Sequence, residues 1–424
     1  MNPKELAERL KKAREASGIS QESVAKTIGV SRTAITQIEK NNRSVSTFEL
    51  TKLAKLYRRP IIYFLEEMHQ NDETLEVLLY RANPELSDTP NVQQRLNRCI
   101  GLCHEGVVLE KILGRENRLG PPTYTLTTPN TKGEAAKQGE LIAAQERNRL
   151  GIGADPIADI VDLIASQNIW VSSTDLPESM SGLFLNHPKT GLVILVNATH
   201  AIARKRFSYA HEYAHALLDR DGLIKISNTA NHSELIEVRA NAFAAAFLMP
   251  SDSIYEALQH LNKGQPSRQE RIIFDVVTGG KTESENRTVP YSQNITHQDT
   301  AIIAHHFGAS YQATTYRLRS LGRLSQKECD VLISKENEGK HYLRVLNMLD
   351  DLEQPEDKKL WERGLRNQLV HLAIEAFRRE EISRGQIFEL GDSIGIGGNV
   401  LFELAKGTIE KIDNKKNVKK KTAE

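Results

Sequence analysis

The sequence predicts a multidomain, mainly α chain: an all-α N-terminal domain, an α+β domain with a small sheet, and a helical C-terminal region. Three observations lead there. At 424 residues the chain exceeds what one hydrophobic core ordinarily serves. Apolar residues recur at three- and four-residue spacing in its N-terminal and central segments, as in helices that bury one face. A hairpin pattern lies in SGLFLNHPKTGLVILVN, where Gly182 to Leu185 and Leu192 to Val196 flank the turn residues Asn186 to Gly191.

The N-terminal segment ELAERLKKAREASGISQESVAKTIGVSRTAITQIEKNNRSVSTFELTKLAKLYRRPIIYFL reads as five short helices. Leu6 and Leu10 begin an apolar stripe. Ser20 is the N-cap expected before Gln21 to Ile28, Gly29 makes the turn, and Ser31 caps the next helix. There Ile35 and Ile38 face inward, while Arg32, Thr33, Thr36 and Gln37 point outward. This is a helix-turn-helix layout. Residues 1–68 hold 13 Lys/Arg against 8 Asp/Glu, whereas the whole chain balances 56 against 55, so the basic excess is local and suits phosphate contacts.

Residues 69–130 follow as a helical connector and loop. ETLEVLLYRANPEL and VQQRLNRCIGLCHEGVVLEKILG carry helical spacing, and Gly120-Pro121-Pro122 with Thr125 to Gly133 marks a break. Cys99, Cys103 and Cys329 are too few and too odd in number for a disulfide framework. Cys99 and Cys103, four apart beside His104, invite a metal or redox reading, but at that spacing they read best as small core residues of a helix. The sequence has no apolar run of about 18 residues and no charged-then-apolar leader, so a cytoplasmic location without a membrane span is expected.

RKRFSYAHEYAHALLDRDG contains a His-Glu-x-x-His motif. On a helix, His211 and His215 share a face and can reach one metal ion, with Glu212 on the flank free to act on water. In SELIEVRANAFAAAFLMP, Glu237 and Asn241 again stand four apart on a helix whose buried face is marked by Ala240, Phe243, Ala244, Phe247 and Leu248. Glu237 is the third candidate ligand and Asn241 a residue that orients one, with Glu234 a poorer match. Two histidines and a glutamate leave a tetrahedral zinc site open for catalysis, and manganese fits the same donors. Tyr209, Tyr213 and His232 are candidate oxyanion partners, and the hairpin is a candidate edge for an extended peptide.

RFSYAHEYAH paired with Glu237 to Pro250 resembles the ImmA/IrrE family of metallopeptidases. Ala143 to Val171, the hairpin, and Ile302 to Leu324 are similar to that family's lead-in, β-hairpin and helical segment, so the resemblance covers roughly residues 130–325. It implies a zincin-like, gluzincin-type site with His211, His215 and Glu237 as zinc ligands and Glu212 as general base. Arg239 departs from the pattern, since a second acidic residue is expected there. The N-terminal segment resembles XRE-type DNA-binding domains. By that match Gln21, Arg32, Thr33, Thr36 and Gln37 are the candidate DNA contacts, with Lys40, Asn42 and Arg43 near the phosphates.

The expected layout is therefore a DNA-binding domain at 1–68, the connector at 69–130, a metallopeptidase domain at 131–300, a helical region at 301–410 and a basic tail at 411–424. Polar Thr278 to Asp299 reads as a loop, and Ile302 to Leu321 as peptidase packing before a second helix-turn-helix. The resemblances imply a DNA-binding, zinc-dependent regulatory endopeptidase, its activity latent until triggered, which cleaves a repressor in a stress response or mobile element. Double-stranded DNA, a protein substrate and a second copy in a homodimer are the expected partners. Two other readings stand: an XRE-family regulator whose metal domain senses without cutting, and an antitoxin-like or phage-defence regulator. Glu212 favours the enzyme, because a sensory metal site has no need of that base.

Overall fold

The computed structural model describes residues 3–16, 19–57, 64, 90–115, 120–187, 190–221, 224–228, 234–263, 268–274, 281–287, 292–348, 352, 354–358 and 362–407. Its elements run α1 (Pro3–Ala16), α2 (Gln21–Ile28), α3 (Arg32–Glu39), α4 (Thr47–Leu56), α5 (Pro90–Ile112), α6 (Lys132–Arg149), α7 (Ile160–Ala165), β1 (Trp170–Thr174), β2 (Met180–His187), β3 (Gly191–Asn197), α8 (Ile202–Leu218), β4 (Ile224–Asn228) and α9 (Leu235–Leu248). They continue with α10 (Ser251–His260), β5 (Arg268–Phe274), β6 (Lys281–Arg287), α11 (His297–Phe307), α12 (Tyr311–Ser320), α13 (Gln326–Ser334), α14 (Glu336–Val345), α15 (Arg363–Arg378), α16 (Arg384–Ser393) and α17 (398–407). The fold is mostly helical with one small four-stranded sheet. Two compact units divide it: residues 1–119 with 185–193 and 362–424, and residues 120–184 with 194–361.

The N-terminal helices follow from their caps. Ser20 accepts from the Ser23 amide and Ser31 from the Ala34 amide, which satisfies first-turn donors of α2 and α3, and Gly29 ends α2 in the left-handed region. Leu10, Val24, Ile35, Ile38, Leu53 and Phe64 form the buried core. Of the expected fifth helix, only Phe64 lies within the described residues. A partly buried ion pair, Arg14 Nε to Glu39 Oε1 at 2.6 Å, ties α1 to the end of α3. Cys99 and Cys103 are buried on α5, as core residues would be.

The four-stranded sheet has the order β1-β3-β2-β4. The hairpin strands β2 and β3 are therefore interior, and β4 rather than the hairpin is the edge next to β2. IKISN is short and only half apolar, too weak a pattern to announce a strand. Thr278 to Asp299 also departs from the expected loop: β6 pairs antiparallel with β5, Glu270 opposite Glu285 and Phe274 opposite Lys281, and α11 begins at His297. KTESENR has no apolar alternation, so periodicity could not find it. The α11 and α12 pair packs inward, with Tyr311, Thr314, Thr315, Arg317 and Leu318 of α12 buried.

Helix α8 lacks a side-chain N-cap at Ala201. Its first amides are met from far along the chain: Ile202 N–H donates to Gln354 O (3.0 Å) and Ala203 N–H to Leu352 O (2.9 Å). Lys205, buried one turn later, pairs with Glu356.

Helix α9 lies along both α6 and α8. At the α6 crossing, a Cβ on Gly139 would stand 2.3 Å from Arg239 O and 2.7 Å from Phe243 N. On the other side Phe243 stacks on Phe247 at 5.1 Å and both meet Tyr213 of α8. Gly139→Ala should therefore lose stability despite its helix-propensity gain of about 1 kcal/mol, because backbone atoms cannot yield and overpacking costs about 1–3 kcal/mol. Urea unfolding checks the sign; a stabilised variant would mean the helices stand further apart.

Candidate metal centre

The i and i+4 spacing on α8 places His211 and His215 side by side, and α9 brings Glu237 onto them. His211 Nε2 lies 3.1 Å from Glu237 Oε2 and 3.2 Å from His215 Nε2, and His215 Nε2 lies 3.5 Å from Glu237 Oε1. One donor atom from each falls within 4.8 Å of the others, and among the described residues these three are the one group so arranged.

The other ring nitrogens are held from outside. His211 Nδ1 meets Asn241 Oδ1 at 2.9 Å, and His215 Nδ1 meets Asp219 Oδ2 at 2.9 Å. Both oxygens accept, so both Nδ1 atoms donate and the Nε2 atoms are left facing the centre. Arg239 Nη2 donates to Asp219 Oδ1 at 2.6 Å, so the residue that breaks the expected acidic pattern fixes the carboxylate that orients His215. Asp219 was not among the sequence candidates, although 211, 215 and 219 continue one four-residue period.

Burial and hydrogen bonding pull His215 and Glu237 in opposite directions. Burial pushes the His215 imidazole down, but hydrogen bonds to Asp219 and Glu237 outweigh it and hold it at about 10. Burial likewise raises Glu237, and hydrogen bonds from His211 and His215 outweigh that and bring it to about 2. The raised His215 imidazole thus holds a proton that an arriving metal ion must displace.

Glu212 stands apart. It is fully buried, and neither carboxylate oxygen has a hydrogen-bond partner. Burial raises its proton affinity, only partly offset by the charges of His211 and His215 and by the nearby Ser227 hydroxyl of β4, which stops short of a formed hydrogen bond. Gly182 of β2 makes the room: a Cβ there would sit 2.8 Å from Glu212 Oε1. Ser181 Oγ donates to Ser227 O at 3.1 Å, which fastens β4 beside this carboxylate.

These residues fit a metal ion. The donors are two imidazoles and a carboxylate converging within reach of one another, each histidine is oriented from behind, and an orphaned carboxylate lies alongside. Of the oxyanion candidates, Tyr213 is committed elsewhere, its hydroxyl donating to buried Glu146, which Arg149 and Tyr124 also hold. Tyr209 is buried on α8. His232 lies outside the described residues.

In the N-terminal domain Arg32, Thr33, Gln37, Lys40, Asn42 and Arg43 are exposed. Thr36 and Gln21 are half-buried and bonded to each other at 3.1 Å, and Gln21 Nε2 donates to Glu39 Oε2 at 2.8 Å. Gln21 thus braces α2 against α3 in this structure. Arg43 pairs with Glu49 at 2.6 Å.

Two family models match this architecture. Residues 164–270 match the family described as IrrE N-terminal-like domain, and residues 10–64 match helix-turn-helix. The chain pairs a helix-turn-helix domain with an IrrE N-terminal-like domain. His211, Glu212, His215 and Glu237 all fall inside the IrrE-like stretch, as does the sheet. No curated protein matches the chain. The two domains together support a regulatory protein with a DNA-binding part and a protease-like part, and among the described residues no helix is long and apolar enough to cross a membrane.

The Asp219 arrangement makes a quantitative expectation. Arg239→Met should weaken zinc binding by roughly 10- to 100-fold, the usual cost of losing a partner that orients a ligand, while His211→Ala and Glu237→Ala abolish stoichiometric zinc. Competition against a chromogenic chelator measures both. Stoichiometric zinc in His211→Ala would remove that residue from the ligand set.

Proposed function

We propose that the chain is a DNA-binding regulatory endopeptidase that holds a zinc ion at His211, His215 and Glu237 and cleaves a specific regulatory protein, most simply a repressor. The observation that carries this reading is Glu212. A buried carboxyl group without a hydrogen-bond partner costs folding about 1–3 kcal/mol even when neutral, so its presence beside the trio argues for chemistry.

A bound zinc ion would supply Lewis acidity for a scissile carbonyl and for water. Glu212 takes the proton from the attacking water and passes it to the leaving amine. Asn241 and Asp219 keep the imidazoles turned toward the centre throughout. Strand β4, last in the sheet order among the described residues and fastened beside Glu212, is the edge we assign to an extended peptide adding as a further strand. His211, Glu212, His215 and Glu237 are each 5% exposed or less, so a peptide reaches them only if the groups packed around them give way, which supports a latent activity. The same burial favours the second reading, a transcriptional regulator whose metal domain senses without cutting.

For DNA, the exposed residues Arg32, Thr33 and Gln37 at the N-terminal half and face of α3 are the proposed base-reading set, Thr36 and Gln21 join or support them, and the exposed Lys40, Asn42 and Arg43 are the proposed phosphate contacts. Operator affinity should fall steeply with salt, and Arg32→Ala with Gln37→Ala should cost about 1–3 kcal/mol per base contact removed. A double variant that binds as tightly as the intact chain in a fluorescence-anisotropy titration would take these residues out of the interface.

Proteolysis is tested in host cells expressing the intact chain or Glu212→Gln, with and without DNA damage, by comparing new protein N-termini. A discrete terminus that requires the intact chain identifies the enzyme and its substrate. None, in cells where the protein is zinc-loaded and bound to its promoter, supports the sensor.

A further inference from the structure

We propose that the cleft beside Arg206 is a binding site for a small organic anion with an apolar body, separate from the metal centre. Arg206 and His211 are five residues apart on α8, which places their side chains about 140° apart around the helix, so the cleft opens on another face from the trio. Its volume is about 560 Å³, within the range of small-molecule sites.

The lining explains the ligand class. Arg206, His305 and His306 supply polar, nitrogen-bearing groups, Ile157, Met348 and Leu352 supply apolar wall, and among the described residues no lining residue is acidic. Among the described residues Arg206 makes no ion pair. Its Nη1 donates to Ala158 O at 3.1 Å, and its Nη2 to Ile157 O at 2.5 Å and Phe307 O at 3.4 Å, all neutral carbonyls. Nε is buried and meets no acceptor among the described residues. Asp159 acts on the guanidinium only through space, its own Oδ1 accepting from the Val161 and Asp162 amides. Backbone carbonyls orient a guanidinium without cancelling its charge, and a carboxylate, sulfonate or phosphate in the cleft would do so.

Gly308 keeps this edge open. A Cβ there would lie 2.8 Å from Arg206 Nε, and the residue sits at φ +62 as the left-handed cap of α11. Leu352, on the wall, also gives its carbonyl to the Ala203 amide, so an occupant touches both the helix that bears the histidines and the segment that caps it.

The probe is 1-anilinonaphthalene-8-sulfonate, an anion with an apolar body, titrated by fluorescence into the full chain and compared with uncharged N-phenyl-1-naphthylamine. Expected is one saturable sulfonate site that Arg206→Gln weakens by about tenfold or more, a loss at the scale of one charge-assisted hydrogen bond, with the uncharged probe weaker and indifferent to the substitution. Arg206 also holds loop carbonyls, so circular dichroism melts accompany that variant. Ala158→Trp, at an exposed position on the rim, leaves Arg206 in place and should block the same site. No saturable sulfonate binding, equal sulfonate affinity in the intact chain and a folded Arg206→Gln, equal affinity of the two probes for the intact chain, or an unaffected Ala158→Trp would each overturn the proposal.

Discussion

The centre exists because α9 lies against α8 closely enough for Glu237 to reach two histidines far earlier in the chain. Small residues and one glycine set that distance. Gly139 lets α6 press on α9 from behind, and the alanines between Ala240 and Ala246 let α9 sit low on its neighbours while Phe243 and Phe247 lock against Tyr213. Ligand geometry here is thus a property of helix packing rather than of loops, and a shift of about 1 Å between the helices would undo it. The Arg239 to Asp219 bond spans the same gap and holds it electrostatically where the aromatic layer holds it by shape.

What could be read from the chain was what a single helix displays. The His211 and His215 pair, the Glu237 and Asn241 pair, and the Ser20, Gly29 and Ser31 punctuation are all local, and periodicity plus capping chemistry suffice for them. Asp219 obeys the same spacing but lies one turn beyond the His-Glu-x-x-His motif, at the helix end, where an acidic residue carries no signal of its own. Arg239 looked anomalous because its partner lies on another helix. Strand β4 and the β5–β6 pair were illegible for a different reason: short or polar strands owe their pairing to neighbours and not to their own pattern. Gln21 shows the same limit in the N-terminal domain, where position on α2 suggests an outward contact and Glu39 draws the side chain inward.

Arginine solves a recurring problem in the second unit, the unsatisfied carbonyls at helix ends. Arg147 donates to Phe247 O near the end of α9, Arg317 to Met249 O just beyond it, and Arg206 to Phe307 O at the end of α11. Each brings a positive charge to the negative end of a helix dipole, where it is favoured. Long side chains from one helix thereby fix the termini of another, and the polar interior of this unit is as structural as its aromatic layer.

The first amides of α8 borrow their acceptors from Leu352 and Gln354, some 150 positions later, and Lys205 borrows Glu356. The matched stretch 164–270 therefore holds every donor atom of the trio but not the means to finish the helix that carries two of them. Such a motif is not a portable cassette. Evolution could exchange the chain's two ends only while keeping this distant splint, and a circular permutation or graft that separated residues 352–356 from α8 would inherit the histidines with a fraying scaffold beneath them.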